Sequence, residues 1–330
     1  MKRDDDSLAT ILLVSRLCAD GARPLKASEF WSLIERTSGG PGIFLNLSKA
    51  ELVHDHDLSE DLAGRVSELV ARATALAFEL DRLEQSGVKS LTAFDEHYPS
   101  QWLVRLGSKA PPLMHAAGAV ELLDSPGLGV VGSRDVSQAG GDIARVVART
   151  AARRGLPLVS GGARGVDQLA MDAAFETGGA VIGILADSLL RKLKRPEVRR
   201  AVHEGNTVMC SPYAPSAPFS AGNAMGRNKL IYAQATLTVV IASDNGAGGT
   251  WSGASEALKY GYGPVAVWRG PGEGPGNAPL QEQGARPMLK PEDLEALLDS
   301  PDRQGNHSDS PRAERTVDTT TQPPLFSGVG

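Results

Sequence analysis

The sequence predicts an α/β protein: a mostly parallel sheet covered by helices on both faces, preceded by a small helical module. Three observations carry that prediction. From residue 88 to residue 267, short apolar runs alternate with helical patterns, which means a parallel sheet buried on both faces. Residues 8–85 show only helical periodicity. Two of the apolar runs end in glycine-rich turns that open helices, Gly132-Ser133-Arg134 and Ser160-Gly161-Gly162-Ala163-Arg164-Gly165-Val166-Asp167.

In chain order, Leu8, Ile11 and Leu12 open an amphipathic stretch, and Phe30, Trp31, Leu33 and Ile34 make a second. Ser48 with Glu51 three residues on is a capping-box pattern. Ser59 caps a long helix predicted from Leu58 through Leu83. This module has the character of a helix-hairpin-helix or sterile-alpha-motif unit. Gly87 ends it. Strands are predicted at Val88–Leu91, Leu128–Val131, Pro157–Val159, Val181–Leu185, Thr207–Cys210, Leu237–Ala242 and Pro264–Val267. Helices are predicted between most of them: Gln138–Arg153, Gln168–Thr177, Glu197–His203, Lys229–Ala235 and Gly253–Tyr260. After Arg269 the composition turns to Gly and Pro, which predicts a loop or linker. Pro291–Leu298 is a short predicted helix, and the polar, charged remainder from about Ser300 is expected to be disordered. The chain therefore divides into 1–85, 86–290 and 291–330.

Composition bounds the function. The chain has 330 residues, 41% of them hydrophobic, enough for one full domain and a smaller one. Cys18 and Cys210 have neither metal-ligand spacing nor a disulfide framework and look like core positions, which fits a reducing cytoplasm. No metal and no cofactor are expected. The acidic start at Asp4-Asp5-Asp6 argues against a signal peptide. No apolar run approaches the ~20 residues of a membrane span. The net charge of −5 argues at first against nucleic acid. Its distribution reverses that: residues 1–85 and 291–330 each carry −5, and residues 86–290 carry +5. The basic excess lies in the segment that holds the glycine turns, whereas the acidic balance of the module favours a protein contact or a structural role.

A strand that ends in glycines and opens a helix presents free backbone N–H groups and the positive end of the helix dipole, which is where phosphate binds. An arginine in each turn adds a bidentate donor. The turns are neither G-x-G-x-x-G nor G-x-x-x-x-G-K-[ST], so a dinucleotide or P-loop reading has poor support. The alternative is that the glycines only make tight turns and the arginines pair with nearby carboxylates. Arg134, Arg164 and Arg227 are the first candidates for phosphate contact. Around them stand Gly132, Ser133, Ser160, Gly161, Gly162 and Gly165. Asn228, Lys229, Gly249 and Thr250 complete the candidate set. For Asn228 a helix cap is an alternative, for Lys229 a water-facing position, and Asp167 reads as a cap or an orienter of Arg164. The run Arg191, Lys192, Lys194, Arg195, Arg199, Arg200 is either an electrostatic rail or a solvated face. Tyr213 and Phe219 are candidates for stacking on bases.

Several segments in order resemble the DNA-processing protein A family (DprA, or Smf), from about Val88 to Gly270. They are Tyr98-Pro99, Ala110-Pro111-Pro112 through Gly118, the two glycine turns, Gly226-Arg227-Asn228-Lys229-Leu230-Ile231 and Gly249-Thr250-Trp251-Ser252-Gly253. The resemblance implies an extended Rossmann-like domain that binds single-stranded DNA, usually as a homodimer, and hands strands to RecA without turning over a substrate. The chain departs from the family at Gln168-Leu169-Ala170-Met171, where an Ala-His pair is usual. Ser188 to Pro196 replaces a Tyr-Pro-x-x-Asn stretch, and Pro212 follows Ser211 where Glu is usual. Two other readings remain open. Gly248-Gly249-Thr250 with Glu256 is faintly similar to the signature of phosphoribohydrolases, with the wrong spacing, and a nucleotide sensor fits the same fold. In the tail, Gln322-Pro323-Pro324-Leu325-Phe326 resembles a peptide that docks in the bacterial sliding clamp.

Overall fold

The computed structural model describes residues 4–300, except residues 19, 20 and 38. The helical module comprises α1 (Asp5–Val14), α2 (Ala27–Glu35), α3 (Lys49–His54), α4 (Glu60–Ala71) and α5 (Ala73–Gln85). The predicted caps form: Ser48 and Glu51 make the capping box of α3, and the Ser59 hydroxyl accepts from the Leu62 N–H. The predicted long helix is broken at Arg72. There the guanidinium leaves the helix direction and donates to the carbonyls of Leu12 and Ser15, at 2.6 and 2.8 Å, capping the end of α1. A partner sixty residues away decides the break, so no local signal foretold it. Cys18, expected in the core, is half-buried, while Cys210 is buried.

The sheet follows as β1 (Lys89–Thr92), α6 (Ser100–Leu106), β2 (Leu113–Gly118), β3 (Gly127–Val131), α7 (Gln138–Arg153), β4 (Leu158–Ser160) and α8 (Val166–Glu176). It continues through β5 (Val181–Ile184), α9 (Leu189–Lys192), α10 (Pro196–His203), β6 (Thr207–Ser211), α11 (Ala221–Gln234) and β7 (Ala235–Val240). α12 (Gly248–Tyr260), β8 (Val265–Trp268), α13 (Asn277–Glu282), β9 (Arg286–Met288) and α14 (Asp293–Asp299) complete it. Among the described residues the sheet has nine strands in the order β1-β2-β6-β5-β4-β3-β7-β8-β9. From β6 to β9 every pairing is parallel, and β2 runs antiparallel to both its neighbours. The predicted α/β class with a mostly parallel sheet is therefore what the chain adopts.

Both faces are covered. Val147 of α7, Met171 of α8 and Leu297 of α14 pack on one face, and Trp102 of α6, Leu230 of α11 and Ala254 of α12 on the other. The module docks on the β1–β2 edge through Ile11, Leu12, Leu76 and Leu113. Ser7 donates to Asp95 at 2.8 Å and the Trp31 indole to the Ala110 carbonyl at 2.8 Å, fixing that contact.

Six elements depart from the prediction. β2 and β9 were not predicted as strands: β2 lies behind two prolines, and β9 lies in what reads as linker. The loop expected after Arg269 instead holds α13, whose Leu280 is in the core. α14 belongs to the sheet layer, with Leu294, Leu297 and Leu298 in the same apolar cluster as Leu237 and Val239 of β7. α11 begins eight residues before the predicted Lys229 and runs into β7 without a loop, and α12 begins five residues before the predicted Gly253. Glycines at Gly222, Gly226, Gly248 and Gly249 lowered the helical signal there, and packing overrode it. Residues 301–330, with the expected disorder and the Gln322–Phe326 motif, lie outside the described residues.

Candidate nucleic-acid interface

β3 feeds α7 toward β4 on one side, and β7 feeds α12 toward β8 on the other, so the strand order reverses between β3 and β7. Ligands of open α/β sheets bind in the crevice outside the carboxyl ends of the strands at such a point. A cleft of about 720 Å³ opens there. Of the candidate residues, Gly132, Ser133, Arg134, Arg227, Asn228, Gly249 and Thr250 line it.

Several N–H groups of the two glycine turns, expected to be free, are already taken. The buried carboxylate of Asp167, in the first turn of α8, accepts from the Gly161 N–H at 3.2 Å and is held by the N–H groups of Ala163 and Gly132. The Ser133 N–H donates to Ala242, and the Ser160 hydroxyl donates to Val130. The protein's own carboxylate thus fills the position where a phosphate was expected, and Ser160, Gly161 and Gly162 lie outside the cleft lining. Asp167 is neither a helix cap nor an orienter of Arg164.

Its counter-charge is Arg227. This residue is not at a helix start on the surface. It sits in the interior of α11 at 5% exposure and donates from Nη1 to the Ile184 carbonyl at 2.6 Å, while its Nε has no partner. Gly161 is glycine because Arg227 lies against it: a Cβ there would stand 1.5 Å from Nη1. Burial pushes the Asp167 carboxyl up and Arg227 pulls it down; burial likewise lowers the Arg227 guanidinium and Asp167 raises it.

The exposed face of the cleft is built differently. Arg134 stands over the Phe219 ring, 5.1 Å from its centroid. α12 opens into the cleft with no side chain capping its N-terminus, so the free N–H groups belong here, at Gly248, Gly249 and Thr250. Asn228 donates to the Gly249 carbonyl at 2.9 Å and braces that turn. It caps no helix, since Ser220 caps α11. Lys229 is not among the cleft residues; burial lowers its ammonium, and Glu256 opposes that. Glu256 accepts from the Tyr262 hydroxyl at 3.0 Å and is not among the cleft residues. Tyr213 donates to the Asn223 carbonyl at 2.9 Å and supports the loop. Arg164 pairs with Asp135 at 2.7 Å and, with Gly165, lines a smaller adjoining hollow. Sequence reasoning missed Asp135, Met225, Tyr232 and Asp244 in the cleft; none carries a motif. Among the described residues no three His, Cys, Asp or Glu are grouped to hold a metal ion, and no helix is long and apolar enough to cross a membrane.

The chain is 31% identical over 217 residues to Protein Smf of Escherichia coli, covering 64% of this chain and 57% of that protein, so it spans little more than half of that relative. DNA processing protein A from Streptococcus pneumoniae shares the fold, with a TM-score of 0.59 at 22% identity over 82% of this chain and 98% of that one. So does DNA processing protein A from Helicobacter pylori, solved for its single-stranded DNA binding mode, with a TM-score of 0.53 at 23% identity over 64% and 96%. The model of the family described as DNA recombination-mediator protein A matches residues 89–299. That match takes in the nine-stranded sheet, both glycine turns, the Arg227-Asn228 pair and the opening of α12, and the chain belongs to the DNA recombination-mediator protein A family.

Proposed function

We propose that the protein binds single-stranded DNA in the cleft between β3 and β7, as a recombination mediator and not as an enzyme. The observation that carries this reading is the exposed wall of the cleft: the uncapped N-terminus of α12 faces Arg134 stacked on Phe219. Free N–H groups and a guanidinium suit a phosphate, and a half-exposed ring suits a base. The cleft has no recognition helix for a duplex groove. Its buried carboxylate is committed to backbone N–H groups and Arg227, which supports binding over turnover. The family's description as a recombination mediator supports a later transfer of the strand to a RecA-type recombinase; a homodimer in the cytoplasm is part of the same proposal.

The test is a gel-shift series with single- and double-stranded oligonucleotides of one length across salt concentrations. Single strands are expected to bind more tightly, with log affinity falling against log salt at about −0.7 per phosphate contact. Arg134→Ala is expected to weaken binding about ten- to a hundredfold, the loss of a charge-assisted bond of roughly 1.5–3 kcal/mol, with an unchanged melting temperature. Equal affinity for duplex, or release of free base from nucleoside monophosphates, overturns the reading.

A further inference from the structure

Resting on that reading, we propose that the bound strand leaves the cleft across the N-terminus of α8 and runs over Arg164, Gln168 and Arg195. The phosphates beyond the cleft are then neutralised on this flank. The cleft itself is lined by Arg134 and Arg227 against Asp135, Asp167 and Asp244, and Arg227 is buried, donates to the Ile184 carbonyl and offsets the charge of Asp167. A polyanion crossing it finds one uncommitted guanidinium, Arg134, beside two exposed carboxylates. Cations next to the cleft therefore add to the affinity of a longer strand.

The adjoining hollow shares Arg134 and Asp135 with the cleft and is floored by Arg164, Gly165, Gln168 and Leu169. Gln168 in turn holds two cations on α9 and its exit: its Oε1 accepts from Lys192 Nζ at 3.3 Å and from Arg195 at 3.5 Å. Lys192 is 8% exposed and also donates to the Gly162 carbonyl, so it is a fixed positive charge beneath the track. Arg195 and Lys194 are exposed above it. The Arg164–Asp135 pair is open to water, with side chains 74% and 86% exposed. Exposed pairs contribute only about 0–1 kcal/mol, so a phosphate displaces the carboxylate easily. The structure also divides the basic run. Lys192 and Arg195 meet Gln168 on the track, while Arg200 lies toward the opposite end of α10, beside Glu204 and Asn206.

The experiment is fluorescence polarisation with oligo-dT of about six nucleotides, enough for the cleft, and of about twenty, enough for the flank. Arg164→Ala/Arg195→Ala is compared with wild type and with Arg200→Ala. The double variant is expected to bind the short strand within about twofold of wild type. It should lose roughly tenfold or more on the long strand, where its salt slope falls by about 1.4, two contacts at about 0.7 each. Arg200→Ala should behave as wild type. Equal losses at both lengths, or no loss on the long strand, overturn the path. If wild type binds only the long strand, the change in salt slope decides in the same sense. Wild type that binds neither strand overturns the single-strand reading itself.

Discussion

Arg227→Ala is expected to lower the melting temperature by about 10 °C. Arg227 offsets the buried charge of Asp167 through space, so its removal leaves that carboxylate less compensated, at a cost of up to about 3–5 kcal/mol. A domain of this size shifts by about 2–4 °C for each kcal/mol. Arg227 faces Asp167 and ties α11 to the end of β5 through Ile184, so its loss loosens the floor on which both glycine turns rest. Asp167→Asn in the Arg227→Ala background should recover part of the loss, because it removes the stranded charge. The deficit should also depend on pH. Burial raises the Asp167 carboxyl and Arg227 opposes that rise. Without the guanidinium the folded-state value climbs further above the unfolded one, so the folded protein holds a proton that the unfolded chain gives up. That stabilisation is fully present below the unfolded value and is lost as pH rises through the folded one. The gap between variant and wild type should therefore narrow in acid. Thermal melts at about pH 8 and about pH 5 check it, and a deficit equal at both, or one under about 1 kcal/mol, shows that Arg227 is not the counter-charge.

Gly165→Ala is expected to cost about 3 kcal/mol and to reduce DNA affinity beyond what lost folding explains. Gly165 has φ +84° and ψ −129°, a conformation that residues with a Cβ rarely adopt. A Cβ there would also stand 2.3 Å from the Ser133 carbonyl and 2.6 Å from that of Arg134. The strained backbone and the overpacking each contribute about 1–3 kcal/mol. Relief requires the Arg134 turn to move, and with it the guanidinium over Phe219. Gly155→Ala is the control: its φ is +65° and nothing lies within 4 Å of the added Cβ, so only about 1 kcal/mol is expected. Chemical denaturation measures both, and a Gly165→Ala cost no larger than that of Gly155→Ala would show that the two turns are not packed together.

Part of this protein was written in local sequence. Seven of the nine strands, the Ser48 and Ser59 caps, and the two glycine turns depend on residues a few positions apart, and each is close to where periodicity and cap chemistry put it. The Arg134 turn and the Gly249-Thr250 turn were legible as cleft residues because a strand that opens a helix has one geometry. What each polar group faces was not legible. Asp167 lies within six residues of Gly161, yet only folding shows that its carboxylate, and not a ligand, takes the N–H groups of both turns. Arg227 and Lys229 stand two residues apart on one helix, so their side chains leave it in different directions. One is buried against β5 and the other lies outside the cleft lining. Arg72, read as a mid-helix residue, caps a helix sixty positions earlier. Sequence determined which donors, acceptors and charges this chain carries and the local frame of each. Tertiary structure alone decided which were paired inside and which were left for a ligand, because burial and hydrogen bonding join residues distant in the chain.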